Sequence, residues 1–371
     1  MDIPYVKLGP EHQSLEEQLL GPIRDVLGSG SFILGREVER FEARLAGLHE
    51  LPYAVGVGSG LDALVLTLKA LGVGPGDEVI TVPNSFIATA AAVALVGAKP
   101  VFVDVDDEQT MSPEALAASI GARTKAIIPV HLYGRPARME ALMSHASAAG
   151  VPVVEDCAQA VGATLHGRHV GTFGVAGCYS FHPLKNLGAC GDAGAVVTGD
   201  RALAERLRLL RNHGLRDRDT CVEWGYNSRL DTFQAAILLA KFPGLHDLTE
   251  GRRRHASYYL GRLKGLPIRL PRERPGENCV WHAFVIQTPQ RDELRAALAH
   301  RGIEALVHYP VPIHLQPSAG HLGYGPGSFP ACERQARSIL SLPIRHSLRE
   351  EEIERVASAV GEFFQDKRGE L

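Results

Sequence analysis

From residue 53 onward, short apolar runs alternate with longer segments whose apolar positions recur every three or four residues. The runs at 54–56, 78–82, 100–105, 126–130, 152–155, 177–181 and 195–198 predict strands. Several are nearly continuous in Val and Ile, as strands covered on both faces require. The segments 59–71, 86–96, 113–119, 138–149 and 201–213 carry helical periodicity. This alternation predicts an α/β fold with a mainly parallel central sheet, helices on both faces, and ligands at the carboxyl ends of the strands. The pattern weakens after Leu215. Helices are expected at 229–241 and 251–263, a Pro/Arg-rich connector at 267–276, a strand at 280–286, and helices at 292–300 and 350–364. The arginine triplet 252–254 is expected on a solvated helix face. A large domain over 1–245 is therefore expected, with an N-terminal arm and a helix carrying Phe41 and Leu45 on one face. A smaller α+β domain follows over 246–371.

Composition narrows the partners. The 371 residues are 45% hydrophobic and 22% charged, ordinary for a globular chain of about two domains. With 39 Lys+Arg against 42 Asp+Glu, the net charge of −3 gives no pull toward nucleic acid or an anionic membrane, and favours a small-molecule ligand. Six scattered cysteines, without a CxxC, fit a reducing cytosol. The N-terminus lacks a signal peptide's apolar core, and the longest apolar run, 87–96, is far short of a membrane span, so a cytoplasmic protein is expected.

The most unusual chemistry lies in 177–194, GCYSFHPLKNLGACGDAG, where Ser180 ends an apolar run and Lys185 follows among glycines. Lys185 is either an exposed loop lysine or an amine aimed into a pocket. Gly56-Val57-Gly58-Ser59-Gly60 runs from a strand into a helix, a tight turn or a phosphate cradle built on free N–H groups. It lacks a third glycine at the right spacing and the later acid of a dinucleotide fingerprint. Asp156 ends an acidic strand terminus and either caps the next helix or meets a cationic ligand group, with Gln159 three residues on. Phe86, at another strand end, is a core anchor or a stacking platform. Asn227 and Arg229 open a helix and suit phosphate or carboxylate. His308 and His314 sit in a proline-stiffened loop, but neither they nor His166 and His169 have a third ligand at suitable spacing, and no metal site is expected.

Taken together, these segments resemble the pyridoxal-phosphate-dependent sugar aminotransferases of fold type I, the DegT/StrS family. The motifs SFILG at 31–35, GDEVI at 76–80, VHLYG at 130–134, EDCAQ at 155–159, KNLGA at 185–189, NSRLDTFQAA at 227–236 and HYP at 308–310 occur in order. The resemblance implies that Lys185 holds pyridoxal 5'-phosphate covalently and that Asp156 pairs with the ring nitrogen. It further implies that Gln159 contacts the ring hydroxyl and Phe86 stacks on the ring. Ser59, Gly60 and Ser180 would bind the phosphate, completed by Asn227 from the other subunit of a homodimer. Phe32, His182, Arg229, His308, Tyr309 and His314 are the candidates for substrate contact.

The implied reaction converts a keto-sugar to an amino sugar with glutamate as donor, in amino-sugar biosynthesis for antibiotics or surface polysaccharide. KNLGA resembles relatives acting at C3 more than those acting at C4. His182, Ser85, Ala193 and the segment 219–224 depart from common family residues, which leaves open a nucleotide-free oxidised sugar such as an octulosonate. A dehydratase would replace the lysine or add clustered cysteines. A nicotinamide oxidoreductase rests only on the glycine turn, and a non-catalytic sensor would not need the intact cofactor set.

Overall fold

The computed structural model describes residues 2–369. Seven strands line up in the order Lys99–Phe102, Glu78–Thr81, Thr124–Ile127, Val154–Asp156, Ala176–Ser180, Gly194–Thr198, Tyr53–Val57. The middle junction is made by the parallel bridges Ile127 to Val153 and Val130 to Asp156. Gly194–Thr198 alone runs against its two neighbours, and the other pairings are parallel. The reason lies in its connection: residues 181–193 contain no helix that could carry the chain across the sheet, so the strand returns beside its predecessor.

Successive side chains of these strands enter different cores, as the period of two requires. Val55, Cys178 and Val196 join a core with Leu64, Leu68, Val93 and Leu207, whereas Ala54, Tyr179 and Val197 join one with Phe41, Leu45 and Leu238. Both faces are therefore helix-covered, and the fold is the α/β, fold type I arrangement that the alternation and the resemblance anticipated. Phe41 and Leu45, in the helix Arg36–Leu48, are fully buried.

The C-terminal part pairs Phe284–Gln287 antiparallel with Ile339–Leu342 and packs them with Leu245–Arg262, Arg291–His300 and Glu350–Gly369 around Tyr259, Phe284, Leu298 and Val360. Several expectations shift here. The helix expected at 251–263 begins at Leu245, whose side chain packs in the core around Phe41 and Leu238. The helix expected from 229 begins at Thr232, because Asp231 is extended and bridged to Ile33. The arginine triplet does not form a solvated face: Arg254 is exposed, but Arg252 and Arg253 hydrogen-bond main-chain carbonyls of residues 279–282. The helix Glu16–Ser29 lies in the stretch expected as an arm and carries Pro22 inside it.

The N-terminal arm is tied at both ends. Ile3 bridges Ile303 in the small C-terminal part, and Gln18 Nε2 donates to the Ala240 carbonyl at 2.5 Å.

One buried contact makes the large sheet sensitive to acid. His49 Nδ1 donates to the Leu45 carbonyl at 2.8 Å, while Nε2 is buried without a partner and the ring meets His169 edge-on at 5.4 Å. Burial lowers the His49 pKa from 6.5 to about 4, with the His169 charge adding and Glu155 opposing. The unfolded chain thus takes up this proton before the folded one, so the contribution is complete above pH about 6.5 and is lost as pH falls toward 4. Stability measured by urea denaturation should drop by on the order of 2 kcal/mol between pH 7 and 5 from this group. His49→Phe should flatten that slope; an unchanged slope would show that other groups carry it.

Candidate active site

Val154–Asp156 and Ala176–Ser180 are parallel neighbours, with Asp156 opposite Cys178, so their carboxyl ends open on the same side. Asp156 ends the first strand. Lys185 stands in the loop leaving the second, which is held tight by Lys185 N–H to the His182 carbonyl and Ala189 N–H to the Phe181 carbonyl, both 2.8 Å. A Cβ on Gly188 would lie 2.5 Å from the Pro183 carbonyl oxygen, so the loop needs glycine there. Both side chains face a cavity of about 880 Å³. The Lys185 amine is half-buried and has no hydrogen-bond partner among the described residues. Burial lowers its pKa, partly offset by the Asp156 charge, which favours the neutral, nucleophilic amine.

Asp156 is buried and oriented from both sides. Thr89 Oγ1 donates to Oδ2 at 2.7 Å and itself accepts from Ser85 at 2.7 Å, while Ala158 N–H donates to Oδ1 at 3.1 Å. The last bond closes a local turn, and no helix follows Asp156 before Arg201, so the helix-capping alternative read from sequence is not realised. Gln159 accepts the Tyr133 N–H at 2.7 Å and points its amide at Tyr309 Oη, 3.4 Å away. Phe86 is 55% exposed at the cavity, and its ring lies 5.8 Å from that of Tyr309, so it is a platform and not a core anchor.

The glycine turn forms a cradle. Ser59 caps the helix Gly60–Ala70 through Asp62 N–H at 3.1 Å, and a Cβ on Gly60 would fall 2.6 Å from the Ser180 Cβ. Free helix N–H groups and the Ser180 hydroxyl thus converge where a side chain would intrude, which fits a phosphate. Together with the buried carboxylate and the amine, these donors match the phosphate, ring nitrogen and aldehyde of pyridoxal phosphate.

His182, His308 and Tyr309 line the same cavity. Burial near Lys185 pushes His308 down to about 4, leaving it neutral, and pushes the Tyr309 phenol up to about 12. Four candidates lie elsewhere. Asn227 is exposed and outside the cavity. Arg229 bonds Asn212 Oδ1 at 3.2 Å, and Phe32, 45% exposed, stacks on Phe233. His314 is a correction to the sequence reading: it is buried away from the cavity, its Nε2 3.1 Å from Glu333 and its ring against Phe329. The apolar spacing of its loop gave no hint of that burial.

Sequence reasoning missed Thr89, Tyr5, His282 and Arg252. Thr89 was visible as the lone hydroxyl in an alanine-rich helix; the others had no local signal. His282 donates to Asn186 Oδ1 at 3.2 Å, and burial beside Lys185 and Arg252 holds it neutral. Among the described residues, His131, Glu155 and Cys157 form the one cluster spaced for a metal. Glu155 is already saturated there by the N–H groups of Gly171, Phe173 and Gly174, each at 2.7 Å, and by His131 at 2.9 Å. The cluster knits the sheet.

An amine and a carboxylate at adjacent strand ends, above a glycine turn that fits a phosphate, are what a pyridoxal-phosphate enzyme needs. The chain belongs to the DegT/DnrJ/EryC1/StrS aminotransferase family, whose pattern matches residues 13–361. It is 48% identical to the UDP-N-acetyl-3-dehydro-alpha-D-glucosamine 3-aminotransferase of Acidithiobacillus ferrooxidans, over 96% of this chain and 97% of the relative. It is 44% identical to a pleiotropic regulatory protein of Geobacillus stearothermophilus, over 98% of this chain and 99% of the relative. The solved structure of S. venezuelae DesV in complex with a ketimine intermediate superposes with a TM-score of 0.96 at 46% identity, covering 98% of each chain. The chain is an aminotransferase of that family.

Gly60→Ala should force the cradle apart, costing about 1–3 kcal/mol and weakening retention of pyridoxal phosphate more than tenfold. Equilibrium dialysis against the cofactor checks this, and wild-type retention would show that the Ser180 contact is not part of the phosphate site.

Proposed function

We propose that this protein is a cytoplasmic homodimer that aminates a nucleotide-linked keto-sugar, at C3, with pyridoxal 5'-phosphate as cofactor and glutamate as amino donor. The observation that carries the reading is the half-buried Lys185 amine, lowered in pKa and facing the buried, doubly hydrogen-bonded Asp156 across one cavity. The A. ferrooxidans relative, named for a 3-amination of a UDP-sugar, supports the carbon and the nucleotide. When bound, the cofactor supplies the electron sink for loss of a proton from the donor's Cα. Lys185 would hold the cofactor and then move the proton at the donor's Cα. Asp156 would pair with the ring nitrogen, Gln159 would contact the ring hydroxyl, and Phe86 would stack on the ring face. Ser59, Gly60 and Ser180 would hold the phosphate.

The second subunit is supported by side chains that the protomer leaves outside its own cavity. Asn227 and Arg229 have no role there, and Phe32, Ile33 and Trp224 expose apolar surface, Trp224 to 91%. A partner covering them would place Asn227 at the phosphate and Arg229 and Phe32 beside the sugar. No helix among the described residues is long and apolar enough to cross a membrane, and all six cysteines are unpaired, as a cytoplasmic enzyme would have them. The regulatory name of the G. stearothermophilus relative suggests a non-catalytic sensor, but a sensor has no need of the free amine facing Asp156.

Purified enzyme with pyridoxal phosphate should show an absorption band near 400 nm, roughly, that Lys185→Ala abolishes. Asp156→Asn should keep the cofactor but lower amination of a 3-keto nucleotide sugar by at least about a hundredfold. Near-normal turnover would remove Asp156 from the chemistry. Mixing Asn227→Ala with Lys185→Ala subunits should restore one active site per dimer, and failure of that rescue would argue against shared sites.

A further inference from the structure

Arg252 lines the cavity and has no role in the reading above. It leaves the helix Leu245–Arg262 toward the cavity wall, where Nη1 donates to the Trp281 and His282 carbonyls, both at 3.2 Å. Its Nε and Nη2 have no hydrogen bond among the described residues, and no carboxylate lies within ion-pair distance. Glu11 reaches it only through the longer-range field, and its Oε1 is taken by the Ser347 hydroxyl. Arg252 is only partly exposed, and burial lowers its pKa, with the Tyr5 and Glu11 charges opposing. Its other electrostatic neighbour is Tyr5.

Tyr5 comes from the N-terminal arm, fixed by its N–H to Glu304 Oε2 at 2.8 Å and by ring contact with His308 at 5.5 Å. Its hydroxyl is buried and makes no hydrogen bond of full geometry; the Ser341 hydroxyl beside it, which bonds His308 Nδ1 at 2.8 Å, lies near enough to lower the phenol's pKa. Burial holds the phenol at about 12, so Tyr5 remains an O–H donor. The same wall is anchored to the reaction centre, because Arg252 grips the main chain of His282, whose ring is within the field of Lys185.

We propose that Arg252 and Tyr5 together form a receptor for a substrate oxyanion, with the guanidinium giving the charge and the phenol a further hydrogen bond. A dicarboxylic amino donor and the diphosphate of a nucleotide-linked acceptor both present such a group. The arm therefore completes the substrate site as well as bridging the two parts of the chain. The inference rests on the substrate reading above, which wild-type amination of keto-sugars tests separately.

Calorimetric titration of the cofactor-loaded enzyme with glutarate and, separately, inorganic pyrophosphate tests the receptor. Wild type should bind at least one of them competitively with the matching substrate. Arg252→Gln should weaken that binding at least about tenfold, and Tyr5→Phe about threefold, with the cofactor band unchanged. Loss of glutarate assigns the site to the donor, and loss of pyrophosphate to the acceptor. Tyr5→Phe keeps the test open should Arg252→Gln fail to fold, because it removes one hydroxyl and leaves the ring and every charge in place. Binding of neither anion by wild type, or wild-type affinity in the folded variants, overturns the proposal.

Discussion

The site depends on the parallel pairing of Val154–Asp156 with Ala176–Ser180. Parallel neighbours end on the same edge of the sheet, so an acid closing one strand and a loop leaving the other meet without either moving. The antiparallel return of Gly194–Thr198 then confines the lysine loop above that edge and brings Gly194 against Ser59, where a Cβ would lie 2.2 Å from the Ser59 carbonyl oxygen. Amine, carboxylate and phosphate cradle are thus fixed by one sheet register, and a slip of one residue would turn all three away.

That register is secured by a buried charge. Glu155, next to the site's aspartate, points to the opposite face, where three main-chain N–H groups and His131 saturate it. His131 Nδ1 in turn accepts the Ala137 N–H at 3.0 Å, which fixes its tautomer with the proton on Nε2 toward Glu155. A carboxylate with no exposure is tolerable only with that many donors, and losing one would expose the remainder to the full desolvation cost. Adjacent acids therefore do different jobs because strand side chains alternate: Glu155 braces the sheet, and Asp156 faces the cavity.

Electrostatics inside the cavity follow from burial more than from any single pair. Lys185, His282 and His308 are all pushed toward their neutral forms, with desolvation the leading cause in each. Neutral histidines beside the amine place no cation against it. Arg252 stays cationic and lies one residue's reach farther along the same wall, at His282. The cavity thus separates a reacting end from a charged, anchoring end.

The sequence by itself determined the strand–helix alternation, the strand ends bearing Asp156 and Phe86, and the glycine turn around Ser59 and Gly60. These depend on local periodicity and turn chemistry, which neighbours in sequence set. Lys185 alone was ambiguous, and motifs in order along the chain, through their likeness to a family, resolved it. Only the tertiary structure decided which polar groups are buried together. His314 left the site because its loop folds inward onto Glu333, and Arg252 entered it because Gly251, Ala256 and Tyr259 turn the rest of that helix toward the core. Tyr5 joined from the other end of the chain through the bridge of Ile3 to Ile303. Contacts of such sequence separation are set by packing and desolvation across the whole fold, and no local pattern encodes them.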